Sequence, residues 1–191
     1  MVRECDPFQC QKGETTLLPG LLEPLPIPTR IWIDISMDFI EVLPKSGDKT
    51  IILVVVDQLS KYSQFCALSH PYTTSSVTQI FMDHVFRLHG IPFSIVSDHG
   101  ANFTSHFWIE LFHHTGTKLK RISRYHPQID GQTEVINKCL KTYLRCFTYE
   151  QQHQWEKWLP LTKWWYSTSY HTASKMTPYE VVYGEALLIL L

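Results

Sequence analysis

The 191-residue chain is 44% hydrophobic and 18% charged, ordinary globular composition that excludes a disordered or fibrous protein and is long enough to bury one substantial core. Seventeen Lys and Arg against eighteen Asp and Glu leave a formal net charge of -1, so a nucleic-acid partner has to be argued from local patches. Five cysteines, Cys5, Cys10, Cys66, Cys139 and Cys146, form no regular framework, and MVRECDPFQC is not a signal peptide, which together point to a reducing compartment without secretion. The apolar run ALLILL at the carboxyl end is far shorter than the roughly 20 residues of a membrane span, and no membrane partner is expected.

Residues 1–29, rich in Pro and Gly, read as a linker, residues 30–185 as the folded domain and 186–191 as an apolar tail. In IWIDISMDFIEVL the apolar Ile33, Ile35, Met37 and Phe39 alternate with Asp34, Ser36 and Asp38, the period of a strand whose carboxylates share one face. The run TIILVVVD predicts a strand covered on both sides, with SGDK before it as a hairpin turn, and QLSKYSQFCAL predicts a third strand. Thr73 to Leu88 has helical spacing, TTSS as its start and Gly90 with Pro92 as its stop. FSIVSD predicts a strand ending on Asp98, SHFWIELFHHTG a helix between Ser105 and Gly116, and KLKRIS a fifth strand.

YHPQIDGQ reads as a loop, and Thr133 to Phe147 as a helix whose apolar stripe comprises Val135, Ile136, Cys139, Leu140, Tyr143, Leu144 and Phe147. Two more helices are expected near 153–170 and 177–184; the cluster Trp155, Trp158, Trp164, Trp165 and Tyr166 in the first of them reads as core. Three consecutive strands followed by alternating helix and strand predict an α/β fold with a mixed five-stranded sheet flanked by helices, in a ribonuclease-H-like layout.

Asp38 lies in the first strand, Asp98 ends the fourth, and Glu134 falls in the first turn expected of the long helix. Three gathered carboxylates repel one another unless hard cations such as Mg²⁺ or Mn²⁺ sit among them. Two such ions, about 3.5–4 Å apart, activate an attacking oxygen and stabilise the leaving one at a phosphodiester, so phosphoryl transfer is the matching reaction class. Three acids alone are weak grounds, because an isolated Asp or Glu is usually a solvated surface residue.

The strings SMDFI, ILVVVDQLSKY, HGIPFSIVSDHGANFTS, YHPQIDGQTEVIN and TSYHTASKMTPYEVVYG together resemble the integrase catalytic core of gypsy-type long-terminal-repeat retrotransposons. The likeness runs from about Pro24 to Gly184. It implies a two-Asp, one-Glu triad with thirty-five residues between the last two, and residues 99–133, thirty-five in all, separate Asp98 from Glu134. It places the first acid in SMDFI, hence Asp38, with Asp34 as the alternative on the same face. Asp57 reads instead as a turn-initiating residue.

The implied activity is metal-dependent processing of DNA 3′ ends and strand transfer, with element ends and target DNA as partners, homo-oligomers as the working form, and the nucleus as its place after particle assembly in the cytoplasm. A folded remnant that binds DNA or protein partners without turnover is the rival reading. A ribonuclease-H-like nuclease with another substrate fits the family strings less well.

Lys118, Lys120, Arg121, Arg124, Lys138, Lys141 and Arg145 outnumber Asp130 and Glu134 around the third acid. Glu134, Asn137, Lys138, Lys141 and Arg145 are spaced to share one helix face able to meet a phosphate backbone. The resemblance implies DNA contacts for Asn137, Lys138 and Lys141, and puts His126 and Gln128 in a mobile loop near the DNA end. Asn102, beside the second acid, is a further candidate DNA contact or a cap of the next helix.

The opening VRECDPFQCQK resembles the tail of an upstream zinc-binding module, yet Phe8 stands where the family has a Cys and no His pair precedes Cys5 and Cys10, so no zinc site is expected. His99, Arg124 and Ser167 also depart from the family pattern. Ten histidines show no paired spacing apart from the adjacent His113 and His114, and no histidine metal site is expected.

Overall fold

The computed structural model describes residues 28–41, 43–97, 112–113, 115–121, 127–148, 151–172 and 174–186, with the side chains of 120–132 excepted. Its strands are β1 (Asp34–Ile40), β2 (Lys49–Asp57), β3 (Ser63–Ser69), β4 (Ser94–Ser97) and β5 (Lys118–Arg121). They form one sheet in the order β3-β2-β1-β4-β5. β1, β2 and β3 pair antiparallel, whereas β4 and β5 run parallel to β1, which makes the sheet mixed as expected.

The β1–β2 connection closes on a bridge between Ser46 and Lys49, with Gly47 at φ +59°, a left-handed backbone that favours glycine. Ile51 to Asp57 are all buried, because β2 is an interior strand with helices over both faces. The hairpin to β3 turns on Asp57. Its Oδ1 accepts from Trp32 N–H at 2.8 Å, and its Oδ2 accepts from Ser60 N–H at 2.8 Å and Ser60 Oγ–H at 2.5 Å. Asp57 is 0% exposed and its oxygens are taken up in holding this turn, the structural role expected of it.

The first helix, α1, begins at Thr74 behind a capping box of Thr73 and Ser76. It continues as α-helix to Phe81, widens into a π-helical stretch over Met82–Phe86, and ends with Arg87–His89. Gly90 at φ +82° stops it. The apolar spacing could not show the π-helical stretch, since one extra residue in the helical ladder leaves Val77, Phe81 and Val85 buried on one side all the same. Of the helix expected over 105–116, only residues near its end are described: Phe112 is buried, and Gly116 has φ +71°.

The long helix α2 spans Pro127–Phe147, so it starts six residues before the expected Thr133. Pro127 has its φ preset for a first helical turn, and Gly131 within a helix costs only about 1 kcal/mol, which flanking turns outweigh. Residues 127–132 are therefore helical, and Glu134 lies in the third turn instead of the first. After a short 3₁₀ turn at Gln152–Gln154 come α3 (Trp155–Thr168) and α4 (Pro178–Tyr183), the latter with a Thr177–Glu180 capping box.

Two apolar layers flank the sheet. On one face Ile35, Met37, Leu53 and Ile95 pack with Val77, Phe81 and Val85 of α1. On the other, Ile40, Ile52, Val54 and Phe65 pack with Ile136, Leu140 and Leu144 of α2 and Trp155, Leu159 and Tyr166 of α3. Each such buried side chain contributes about 1.5–3 kcal/mol of transfer free energy. Val135, read as part of the apolar stripe, is 53% exposed instead. Trp158 and Trp164 are likewise 38% and 48% exposed, because at 100° per residue one helix cannot turn five aromatics inward.

Candidate functional site

Helix α2 lies along β1 and is fastened to it by two side-chain hydrogen bonds. Thr133 Oγ1–H donates to Ser36 Oγ at 3.2 Å, and Asn137 Nδ2–H donates to Asp38 Oδ2. Four helical residues rise about 6 Å. Two strand residues advance about 6.6 Å. The steps from Thr133 to Asn137 and from Ser36 to Asp38 therefore match, and helix and strand run in the same direction.

Asp38 is partly buried on the α2 face, and its Oδ1 also accepts from Phe39 N–H at 2.7 Å. Asp34 shares that face and accepts from the Ser94 hydroxyl of β4. Asp38 is joined to α2 through Asn137.

Glu134 is exposed, one turn before Asn137 and about 60° round the helix from it. It makes no ion pair among the described residues. On the other side of β1, Ser97 pairs with Met37 in the parallel β1–β4 ladder, so β4 ends level with the approach to Asp38. Asp98 follows Ser97 directly in the chain and, like Asn102, lies outside the described residues. His126 is outside them too, while Gln128 is described only as helical backbone of α2.

The structure thus joins Asp38 to Asn137, which lies one turn from Glu134 on α2. Asn137, expected on the outer DNA-facing surface, is half buried and turned to Asp38; its Oδ1 is buried without a partner among the described residues. The i, i+3 spacing from Glu134 was the available sequence signal, since it places an amide beside whatever the Glu approaches.

Among the described residues no three His, Cys, Asp or Glu side chains cluster as a metal site. The donor set at Asp38 nevertheless suits a hard divalent cation. It offers the carboxylate oxygens of Asp38, and Asn137 adds an amide oxygen that is buried and without a donor among the described residues, with Glu134 one turn away on α2.

Lys138, Lys141 and Arg145 are exposed on successive turns of α2, leading away from Asn137. A cavity of about 540 Å³ opens beside them, between Leu43 and Pro44 on one side and Lys141, Arg145 and Trp155 on the other. Trp155 fixes its wall by donating from Nε1 to Pro44 O at 2.6 Å. Further round the molecule, Lys118 lies 4.7 Å from the Phe93 ring centre. No helix of the described residues is long and apolar enough to cross a membrane.

Comparison with known proteins agrees with this layout. The Transposon Tf2-3 and Tf2-4 polyproteins of Schizosaccharomyces pombe (strain 972 / ATCC 24843) are each 32% identical to this chain over 182 residues, covering 95% of it and 14% of their own length. The chain therefore spans a small part of those relatives.

Among solved structures, the HTLV-2 integrase catalytic core domain in complex with magnesium, in its trimeric form, superposes with a TM-score of 0.64 at 17% identity, covering 85% of this chain and 99% of that one. The simian T-cell lymphotropic virus intasome in complex with the PP2A regulatory subunit B56 gamma gives 0.71 at 16%, covering 97% and 66%. The catalytic core of BIV integrase gives 0.60 at 22%, covering 78% and 93%. These likenesses establish the ribonuclease-H-like fold. The family model described as Integrase core domain matches residues 29–127, more than half of the chain, and the protein belongs to that family.

Proposed function

We propose that this chain is the catalytic core of a retrotransposon integrase, a polynucleotidyl transferase that processes DNA 3′ ends and joins them to target DNA. The observation that carries the reading is the fastening of Asp38 to α2 by Asn137, one turn from Glu134. It puts the first and third acids of the expected triad on neighbouring elements, while β4 leads into the second.

Asp38, Asp98 and Glu134 hold Mg²⁺ or Mn²⁺ in this proposal, and the HTLV-2 relative solved with magnesium supports that choice. The bound ions supply Lewis-acid activation of the attacking oxygen and charge neutralisation at the phosphodiester. The chain's own part is positional. Asn137 keeps the Asp38 carboxylate from rotating by holding one oxygen while Phe39 N–H holds the other. Lys138 and Lys141 engage phosphates of the DNA end along α2, and Asn102, His126 and Gln128 are further DNA contacts in the proposal. In this proposal residues 30–185 are the core, 1–29 a linker and 186–191 a tail.

The relatives' names support the partners. HTLV-2 integrase core occurs in trimeric and dimeric forms, and the simian virus protein in an intasome, so a homo-oligomer on DNA is the proposed working state. The working place is then the nucleus, after particle assembly in the cytoplasm.

The test is a Mg²⁺- or Mn²⁺-dependent strand-transfer and disintegration assay, with Asp98→Asn as the control. Joined product from the parent, lost in the variant, is the expected result. Absence of turnover by folded parent protein overturns the catalytic reading in favour of a remnant that binds without turnover.

A further inference from the structure

At the β3 edge of the sheet, a second cleft of about 380 Å³ lies where β1 and β3 begin and α1 ends, walled by α3 and α4. Its walls include the rings of Trp32, Tyr62 and Tyr183, with Leu88 apolar at the rim and 57% exposed. The cleft is built around Trp32. That residue has φ +60°, a conformation bulky side chains rarely adopt, and it is held there by the hydrogen bond from its N–H to Asp57.

The Trp32 ring stacks on His89 with centroids 3.7 Å apart and planes within 5°. His89 is fixed in turn through Gln64, whose Nε2 lies 3.0 Å from His89 Nε2. Trp32 is 5% exposed, and its Nε1–H has no acceptor among the described residues.

Lys163 of α3 supplies the one full charge. Its Nζ lies 5.9 Å from the Tyr62 ring centre, no Asp or Glu lines the cleft, and Lys163 makes no ion pair among the described residues. Burial pushes the Lys163 pKa down, and burial followed by the nearby Lys163 charge pushes His89 down to about 4, so the imidazole is neutral at pH 7. The cleft is therefore an aromatic-walled space, as polar as it is apolar, that holds one cation without a carboxylate partner among the described residues. A volume of this size lies within the usual range for small-molecule sites.

We propose that this cleft binds a small monocarboxylate with an aromatic or branched apolar body, its carboxylate paired with Lys163 and its body against Trp32 and Tyr62. One lysine and no arginine suit a monoanion better than a phosphate, which recruits several donors or a guanidinium fork. The site is independent of the DNA chemistry proposed above, because none of its lining residues is among those assigned to that chemistry.

The test is titration of the ¹⁵N-labelled 191-residue chain with phenylacetate, followed by two-dimensional NMR. Saturable shifts confined to Trp32, Tyr62, Gln64, His89 and Lys163 are expected. Phenylacetamide, the neutral match in shape, binds at least tenfold more weakly, as does phenylacetate to Lys163→Met, while Lys163→Arg retains affinity. No saturable shift at these residues, or equal affinity for phenylacetate and phenylacetamide on the unmodified chain, overturns the proposal. So does undiminished binding by a Lys163→Met protein with a native spectrum.

Discussion

The side-chain amide of Asn137 donates to Asp38 Oδ2, joining the middle of α2 to the middle of β1 through a residue that lies one turn from Glu134. An outer hydrogen bond of this kind orients a carboxylate without touching substrate, and losing one commonly costs about 10–100-fold in metal affinity or activity. Asn137→Ala is expected to lower the strand-transfer rate by that order and to raise the Mg²⁺ concentration needed for half-maximal rate, with the fold intact by circular dichroism. An unchanged metal requirement would show that Asp38 keeps its orientation without Asn137.

Asp57 provides the contrast of an acid that serves the fold. It is wholly buried, and it receives Trp32 N–H, Ser60 N–H and Ser60 Oγ–H. Asp57→Ala strands those buried donors, each bond to a charged acceptor being worth about 1.5–3 kcal/mol. Urea denaturation should show a loss of about 3 kcal/mol or more. Wild-type stability in the variant would mean that the turn does not depend on this carboxylate.

The same two acids mark what was legible in the sequence. Alternation in IWIDISMDFI placed Asp34 and Asp38 on one face, and the β-branched run 51–56 announced a strand covered on both sides, because both patterns are set by burial alone. The start of α2 at Pro127 was not legible: Pro, Asp and Gly looked like loop residues, while the competing preference of Pro for a first helical turn is decided by tertiary packing. Asn137 was legible as a residue of the acidic helix face but not as a partner of Asp38, since helical spacing gives a direction and not the distance to a strand nearly a hundred residues away. The cleft at Trp32 left no periodic trace at all, because its parts come from five separate segments.

Leu140 is completely buried between α2 and the sheet, among Val54 and its neighbours. Leu140→Ala leaves a cavity there and is expected to cost about 2–5 kcal/mol. Because α2 also carries Glu134 and Asn137, strand transfer should fall further than the folded fraction accounts for. Thermal melts paired with activity normalised to folded protein separate the two effects; activity that tracks the folded fraction would show that α2 stays in place.

His89 makes stability depend on pH. Burial, then the Lys163 charge, lowers its pKa from 6.5 to about 4 in the folded protein. Above pH 6.5 the ring is neutral in both states and the depression has no effect; as pH falls from 6.5 toward 4 the unfolded chain takes up a proton that the folded one refuses, so stability declines, and below 4 the decline ends. For a half-buried ring, solvent screening reduces the effect to roughly 1–2 kcal/mol. His89→Phe keeps an aromatic ring against Trp32 and removes the titration. Urea midpoints compared between pH 7.5 and pH 4.5 should fall less in the variant than in the parent, and an equal fall would assign the pH dependence to other groups.

Lys138 and Lys141 are exposed on consecutive turns of α2, beyond Asn137, so their removal leaves the apolar contacts of Ile136, Leu140 and Leu144 untouched. If they meet phosphates, each bound lysine releases about one counterion, and the dependence of log affinity on log salt steepens by about 0.9 for every such contact. Lys138→Gln and Lys141→Gln should each flatten that slope by about one and weaken binding similarly for unrelated DNA sequences, because a phosphate contact carries no base information. The double variant should flatten it by about two while melting at the parent's temperature. Fluorescence anisotropy with two duplexes of different sequence across a salt series measures both quantities at once. A slope unchanged in the double variant would move the DNA path off this face of α2.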